Sequence, residues 1–187
     1  MTIKPTKEEA KQAVRTLIAW AGDNPDRPEL LETPDRVVNS YNEFFSGYNK
    51  IIDKELGKTF ENSSNYDEMI ILREISLESY CEHHMLPIIG KATVAYIPDK
   101  KIIGLSKIAR IVDIFAKRLQ IQERLVVEIA DCLNQVIKPK GVGVIIESSH
   151  LCLNIRGAYK PDSLMRTSHM IGCFKQENFR KEFLSAI

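Results

Sequence analysis

The chain has 187 residues, of which 26 are Lys or Arg and 25 are Asp or Glu, leaving a net charge of +1. That balance excludes a polycationic tail for nucleic acid or a basic face for an anionic membrane, so an anionic partner must be met by local groups. With 44% of its residues hydrophobic, the chain is expected to bury one sizeable core and to leave room for an N-terminal appendage.

No apolar run approaches the ~20 residues that cross a bilayer, and the opening MTIKPTKEEAKQAV lacks the apolar stretch of a secretory leader. A cytoplasmic protein is expected. In that compartment Cys81, Cys132, Cys152 and Cys173 read as thiols or metal ligands rather than a disulfide framework.

In chain order, Thr6 with Glu9 forms a capping box, and Ala10, Ala13, Val14, Leu17, Ile18 and Ala21 then recur at helical spacing up to Gly22. Thr33 before Pro34 predicts an N-cap, with Pro at the first helical position of a second helix running through Phe45 to Gly47. Residues 48–66 carry no period. MIILREISL from Met69 and GKATVAYIP from Gly90 are rich in β-branched residues and predict strands. Ile108, Val112, Phe115 and Leu119 mark one central helix, and Leu125, Ile129, Leu133 and Val136 mark another that stops before Pro139. GVGVIIESSH, LCLNIRGAY and MRTSHMIGCF predict three more strands, and a short helix closes the chain near Glu177 to Leu184. Strands, then helices, then strands predict an α+β class, with an antiparallel sheet covered on one face. The division expected is a helical region over 1–66 and a second domain over 67–187.

Two short stretches carry the chemistry. YCEHHMLP holds Cys81, His83 and His84, and HLCLNIRG holds His150 and Cys152 two apart, where strand alternation would point both side chains to one face. The clusters Cys81 to His84 and His150 to Cys152 span seven positions yet hold five of the eight Cys and His residues, against roughly 0.3 for random placement. Clustering of that degree is what metal and catalytic sites produce. The competing reading is a buried thiol beside surface histidines. Cys81, His84 and Cys152 make a natural set of three ligands; one of His83 and His84 is left over, and His150 is spare. Structural zinc takes four protein ligands, whereas catalytic zinc keeps a position for water. Two free imidazoles beside such an ion point to hydrolysis, because the metal acidifies water and imidazoles move protons near neutrality.

Between the windows lies IIGLSKIARIVDIFAKRLQIQERL. Ser106 is placed to cap the helix, and Lys107 and Arg110 stand in its first turn, where positive charge opposes the helix dipole unless an anion sits there. Solvated basic residues on a capped helix are the plainer reading. Glu123 equally reads as a helix-start carboxylate, and Arg156 as a paired strand arginine.

Taken together, SYCEHHMLPIIGKATVAYIP, IIGLSKIARIVDIFAKRLQIQERL, GVGVIIESSHLCLNIRG and the closing TSHMIGCF resemble the type I GTP cyclohydrolase family, as does the earlier RPELLETPDRVVNSYNEFFSGY. The likeness runs in order over roughly residues 25 to 187. The resemblance implies the tunnelling fold, an antiparallel sheet with two helices on one face. It also implies subunits closing into a β-barrel toroid, commonly a homodecamer of two pentameric rings. It implies the conversion of GTP and water to 7,8-dihydroneopterin triphosphate and formate, the first step toward tetrahydrofolate or tetrahydrobiopterin. By the family pattern Cys81, His84 and Cys152 ligate Zn2+, and water activated there attacks C8 of the purine. His150 protonates N7 as the imidazole ring opens, and His83 assists proton transfer during ring opening and loss of formate. Glu123 and Gln122 hold the guanine edge. Ser106, Lys107, Arg110 and Arg156, with Arg36 from a neighbouring subunit, meet triphosphate and ribose, with Ser106 also assisting the ribose rearrangement.

Departures from the pattern are few. Asn39 stands where some members carry Lys, which bears on Arg36, and Leu153 and Ile155 stand where Met is frequent. Cys132 and Cys173 match no role and read as core thiols. Three other readings are a zinc-free nitrile reductase of the same fold, a structural zinc module with His83 or His150 as fourth ligand, and an inactive pterin- or nucleotide-binding regulator. Paired ligand clusters, an otherwise idle Glu123 and the presence of both histidines argue against these in turn.

Overall fold

The computed structural model describes residues 4–187; the first three residues of the stretch read for a leader lie outside them. Thr6 Oγ1 accepts from the Glu9 N–H at 3.2 Å while the Glu9 carboxylate accepts from the Thr6 N–H at 2.7 Å, and this reciprocal cap starts α1 (Lys7–Trp20). The α2 helix (Thr33–Phe44) takes Pro34 into its first turn, but its N-cap is Glu32, so Thr33 is inside the helix rather than its cap. These two helices belong to the first of two compact units, Met1–Ser46, in which Pro34 alone of the described residues is buried. Leu17 and Trp20 on α1 are 65% and 88% exposed.

The second unit is Gly47–Ile187. Residues 48–66, which lack a period, are held in it by long-range bonds at and within their ends. The Gly47 N–H donates to the Lys117 carbonyl and the Asn62 N–H to that of Lys100. A short α3 (Ile52–Leu56) precedes β1 (Phe60–Glu61), which pairs antiparallel with β4 (Lys101–Ile102).

Five strands form the main sheet: β2 (Ile70–Cys81), β3 (Pro87–Ile97), β5 (Leu119–Gln120), β6 (Gly141–His150) and β7 (Met165–Gly172). Their order is β5-β2-β3-β6-β7, antiparallel except for the β2/β5 pair at one edge. The strands β2 and β3 extend beyond the apolar stretches that predicted them, because cross-strand hydrogen bonding carries the ladder up to the metal-type loop.

Between β4 and β6 lie α4 (Leu105–Ala116) and α5 (Gln122–Ile137), both packed on one face of the sheet. Ile108, Ile111 and Val112 of α4 and Leu125, Ile129 and Leu133 of α5 close over Leu77, Val94, Tyr96, Val144 and Ile146. The N-cap of α4 is Gly104, with no side-chain cap bond, so Ser106 does not cap this helix.

The opposite face is covered in part. After β7 the chain turns at Gly172, and α7 (Glu177–Ser185) sets Phe183 against Phe174, edge-on at 5.5 Å, over Ala95, Ile97, Ile145 and Met170. Here β6 requires glycine, since a Cβ at Gly143 would lie 2.7 Å from the Phe174 ring. Burial on both faces explains why Ala92–Ile97 is apolar on both faces except at Thr93, which is itself buried.

One predicted strand is absent. LCLNIRGAY forms a one-turn helix, α6 (Leu151–Asn154), followed by a turn through Gly157 at φ +64. Asn154 Nδ2 bonds Ser149 Oγ and the Pro161 carbonyl, at 2.5 and 3.1 Å, and so folds the segment back on itself. His150 and Cys152 therefore do not share a strand face.

Candidate metal and catalytic centre

Three strand ends meet at one end of the sheet. Tyr80 of β2 is paired with Pro87 of β3, and Ile88 with His150, the last residue of β6. Between β2 and β3 the chain makes a tight loop in which the Met85 N–H donates to the Cys81 carbonyl at 2.7 Å and Met85 takes φ +55. A non-glycine residue in that region carries backbone strain of a kind found where a loop is held for function. The loop presents His83 and His84 beside Cys81, and the one turn of α6 returns Cys152 to the same place.

The ligand atoms of Cys81, His84 and Cys152 all lie within 4.8 Å of one another. Tetrahedral zinc, with Zn–S ~2.3 Å and Zn–N ~2.0–2.1 Å, sets its ligand atoms about 3.5–3.8 Å apart. The separation of Cys81 Sγ from His84 Nδ1, 3.9 Å, fits. Burial, then a hydrogen bond with Cys81, pushes the Cys152 thiol above its ordinary range. A dication held by Cys81 and Cys152 would offset that penalty by stabilising the thiolates, so the donor set suits a zinc-like ion. His83 Nδ1 also lies 3.9 Å from Cys81 Sγ, but its ring stands at 82° to that of His84, and it is outside the mutual group.

Around these three, His150 Nε2 lies 2.8 Å from Gln122 Oε1, and burial pulls its pKa below the usual imidazole value against an opposing pull from Glu123. Glu123 is exposed in the first turn of α5. Arg156 reaches in from the turn after α6, its Nη1 3.0 Å from His84 Nε2. Gln122 is only 1% exposed, and both ends of its side-chain amide are occupied by protein groups. Its side chain stands behind His150 rather than open to a ligand.

Ser106, Lys107 and Arg110 are elsewhere. Lys107 Nζ donates to the Lys58 carbonyl and sits 5.5 Å from the centre of the Phe60 ring, and Arg110 Nη1 donates to the Glu55 carbonyl at 3.3 Å. The chain enters α4 where the Ile103 N–H meets the Tyr96 hydroxyl, and it leaves toward β5, whose Gln120 pairs with Cys81. The 12 residues of α4 span about 18 Å, so its N-terminus stands roughly a helix length from the Cys-His-Cys group. Arg36 lies in the other unit, exposed and ion-paired with Glu32 one turn away on α2.

The sequence profile described as GTP cyclohydrolase I matches residues 10–187. The chain belongs to the GTP cyclohydrolase I family. Proteins named GTP cyclohydrolase 1 from Brucella canis, Brucella suis and Brucella abortus are each 52% identical to it over 174 residues, covering 93% of this chain and 82% of theirs. Among solved structures, the apo form of the archaeosine synthase QueF-Like shares 19% identity at a TM-score of 0.47, covering 56% of this chain and 93% of that one.

For this member of the family, the structure adds residues that sequence reasoning missed. Arg124 binds the Glu82 carboxylate at 2.5 Å through Nη2 and Gln120 Oε1 at 3.0 Å through Nε, while the Glu82 N–H donates to the Gln120 carbonyl at 3.0 Å. This network ties the Cys81–His84 loop to the start of α5. Its only trace in the sequence is a charged residue wedged between Cys81 and His83 and an arginine beside Glu123, which ordinary surface charges also produce. Ser148, buried and donating to Gln122 Oε1 at 2.6 Å, left no trace at all.

Proposed function

We propose that this chain hydrolyses GTP to 7,8-dihydroneopterin triphosphate and formate, the first step toward tetrahydrofolate or tetrahydrobiopterin. The chain is an enzyme of the GTP cyclohydrolase I family. The observation that carries the reading is a three-ligand Cys-His-Cys group flanked by His83 and His150, two imidazoles that the group does not use. A zinc ion bound there supplies Lewis acidity toward water and polarises the purine.

The protein groups have separate tasks. His150, half-buried and held by Gln122, is placed to exchange a proton at N7 as the imidazole ring opens, and the exposed His83 to assist proton transfer during ring opening and loss of formate. The Glu123 carboxylate accepts from the guanine N1 and exocyclic amine together. Arg156, beside the metal group, meets the phosphate and ribose end. A cytoplasmic setting keeps the thiols of such a site reduced. Among the described residues no helix is long and apolar enough to cross a membrane.

Ser106, Lys107, Arg110 and Arg36 complete the triphosphate and ribose contacts in this reading, with Arg36 and the α4 groups supplied by neighbouring copies of the chain. What supports that is the length of α4, which sets Ser106 and Lys107 of its first turn far from Cys81. The open outer edge of β7 and the exposed Leu17 and Trp20 suit subunits closing their tunnelling folds into a toroid, a decamer of two pentameric rings. A functional division at residue 66 then leaves every residue with a role except Arg36 in 67–187. Light scattering should return an assembly, and full turnover by a monomer would sink the shared pocket.

The test of the reaction is to incubate the purified, zinc-loaded protein with GTP and follow formate and pterin fluorescence; GTP binding without formate would reduce the chain to a nucleotide binder. A second measurement concerns Arg156. Charge-assisted hydrogen bonds contribute roughly 1.5–3 kcal/mol, so Arg156→Ala should weaken GTP binding by about ten- to a hundredfold. Guanosine, which lacks phosphates, should lose little. Equal losses for both ligands would make the contact with His84 a structural one.

A further inference from the structure

Gln122 is the first residue of α5, and its amide is wedged between that helix and strands β6 and β7. At one end Nε2 lies 3.0 Å from the Ile146 carbonyl, 3.1 Å from that of Met165 and 3.0 Å from Thr167 Oγ1. At the other end Oε1 lies 2.6 Å from Ser148 Oγ and 2.8 Å from His150 Nε2. A backbone carbonyl can only accept, so the end that faces two of them must be the amino group. The oxygen therefore faces Ser148 and His150, and an amide oxygen can only accept. The ring nitrogen beside it must carry the proton.

We propose that Gln122 is a positioning residue that holds His150 in its Nε2–H tautomer and leaves the bare Nδ1 to exchange the proton with substrate. The orientation is not free to reverse. Ile146 is paired with Thr167 and Ser148 with Met165 in the β6/β7 ladder, so the carbonyls that dictate the amide are themselves held by the sheet. A flipped amide would turn its oxygen onto two carbonyls, neither of which can donate to it. Because Gln122 is 1% exposed, water is not at hand to relieve that clash.

The inference rests on His150 as the proton carrier of the proposed reaction, and its test reads the ring apart from turnover. In the zinc-loaded protein labelled with 15N-histidine, and with His150 assigned by its loss in His150→Ala, two-bond 15N–1H couplings should show a protonated Nε2 and an unprotonated Nδ1. An Nδ1–H pattern there would overturn the proposal even if formate is released normally. Gln122→Met keeps the volume and removes the acceptor. It should lower kcat by the ~10–100-fold typical of residues that orient a catalytic group, with KM for GTP and zinc content near wild type and the single-tautomer signature lost. Unchanged kcat, or kcat and KM falling together with the tautomer intact, would make Gln122 a packing residue. Should Gln122→Met not fold, the wild-type couplings still decide. A wild type that shows the Nε2–H tautomer but releases no formate would overturn the reaction instead.

Discussion

Cys152→Ser is expected to remove the metal and the turnover together while leaving the protein folded. Zinc should fall from about one per chain to a trace, and formate release to the assay background, because the three-member group of Cys81, His84 and Cys152 loses its second sulfur and a hydroxyl is a poor substitute for thiolate. The fold should survive. Cys152 is half-buried on the single turn of α6 and is outside both apolar clusters, so its loss creates no core cavity. Cys132→Ser is the matching control. That thiol is buried on α5 on the side that faces residues 50–59, its pKa is pushed up to about 11 by burial, and it is outside the Cys-His-Cys group, so the variant should keep its zinc. A hydroxyl there costs about 1–3 kcal/mol if it finds no partner, visible as a lowered Tm. Metal analysis, circular dichroism and formate release on the same preparations read all three quantities. Stoichiometric zinc in Cys152→Ser would take that residue out of the ligand set.

His150→Ala should do the opposite to the metal and nearly the same to the rate. His150 Nε2 is taken by Gln122 at 2.8 Å, and His150 is not part of the mutual Cys-His-Cys group. Zinc content and GTP affinity are therefore expected to stay near wild type. Turnover should fall by the ~10²–10⁴-fold typical of a lost acid–base group. Single-turnover formate release separates this from a binding defect, since saturating GTP would restore the rate only if binding were at fault. Zinc lost with His150 would make it a fourth ligand and favour a structural site. Zinc retained with full activity would leave it without the proton-transfer role.

Much of this architecture was legible in the residues themselves. The Thr6–Glu9 cap, the apolar period of α4 and α5 and the extent of β6 from Gly141 to His150 depend on contacts within one segment or on a buried face with a fixed repeat, so local pattern is enough to read them. The metal-type set was legible for a related reason. Cys and His are scarce in this chain, and two short windows held most of them.

Tertiary structure decided the rest. Leu151, Leu153 and Ile155 alternate as in a strand, yet the segment turns into α6, because Asn154 reaches Ser149 and Pro161 and no neighbouring strand offers it a ladder. Gln122 reads as one more polar residue in a helix-start block, and only the crossing of α5 over β6 and β7 buries it against Ile146, Met165 and His150. Lys107 and Arg110 read as basic residues of a first turn, and only the path of residues 55–58 gives them carbonyls to bind. Periodicity is a property of a segment and survives in the sequence. The partner of a side chain depends instead on the register of elements far apart in the chain, and no single segment records it.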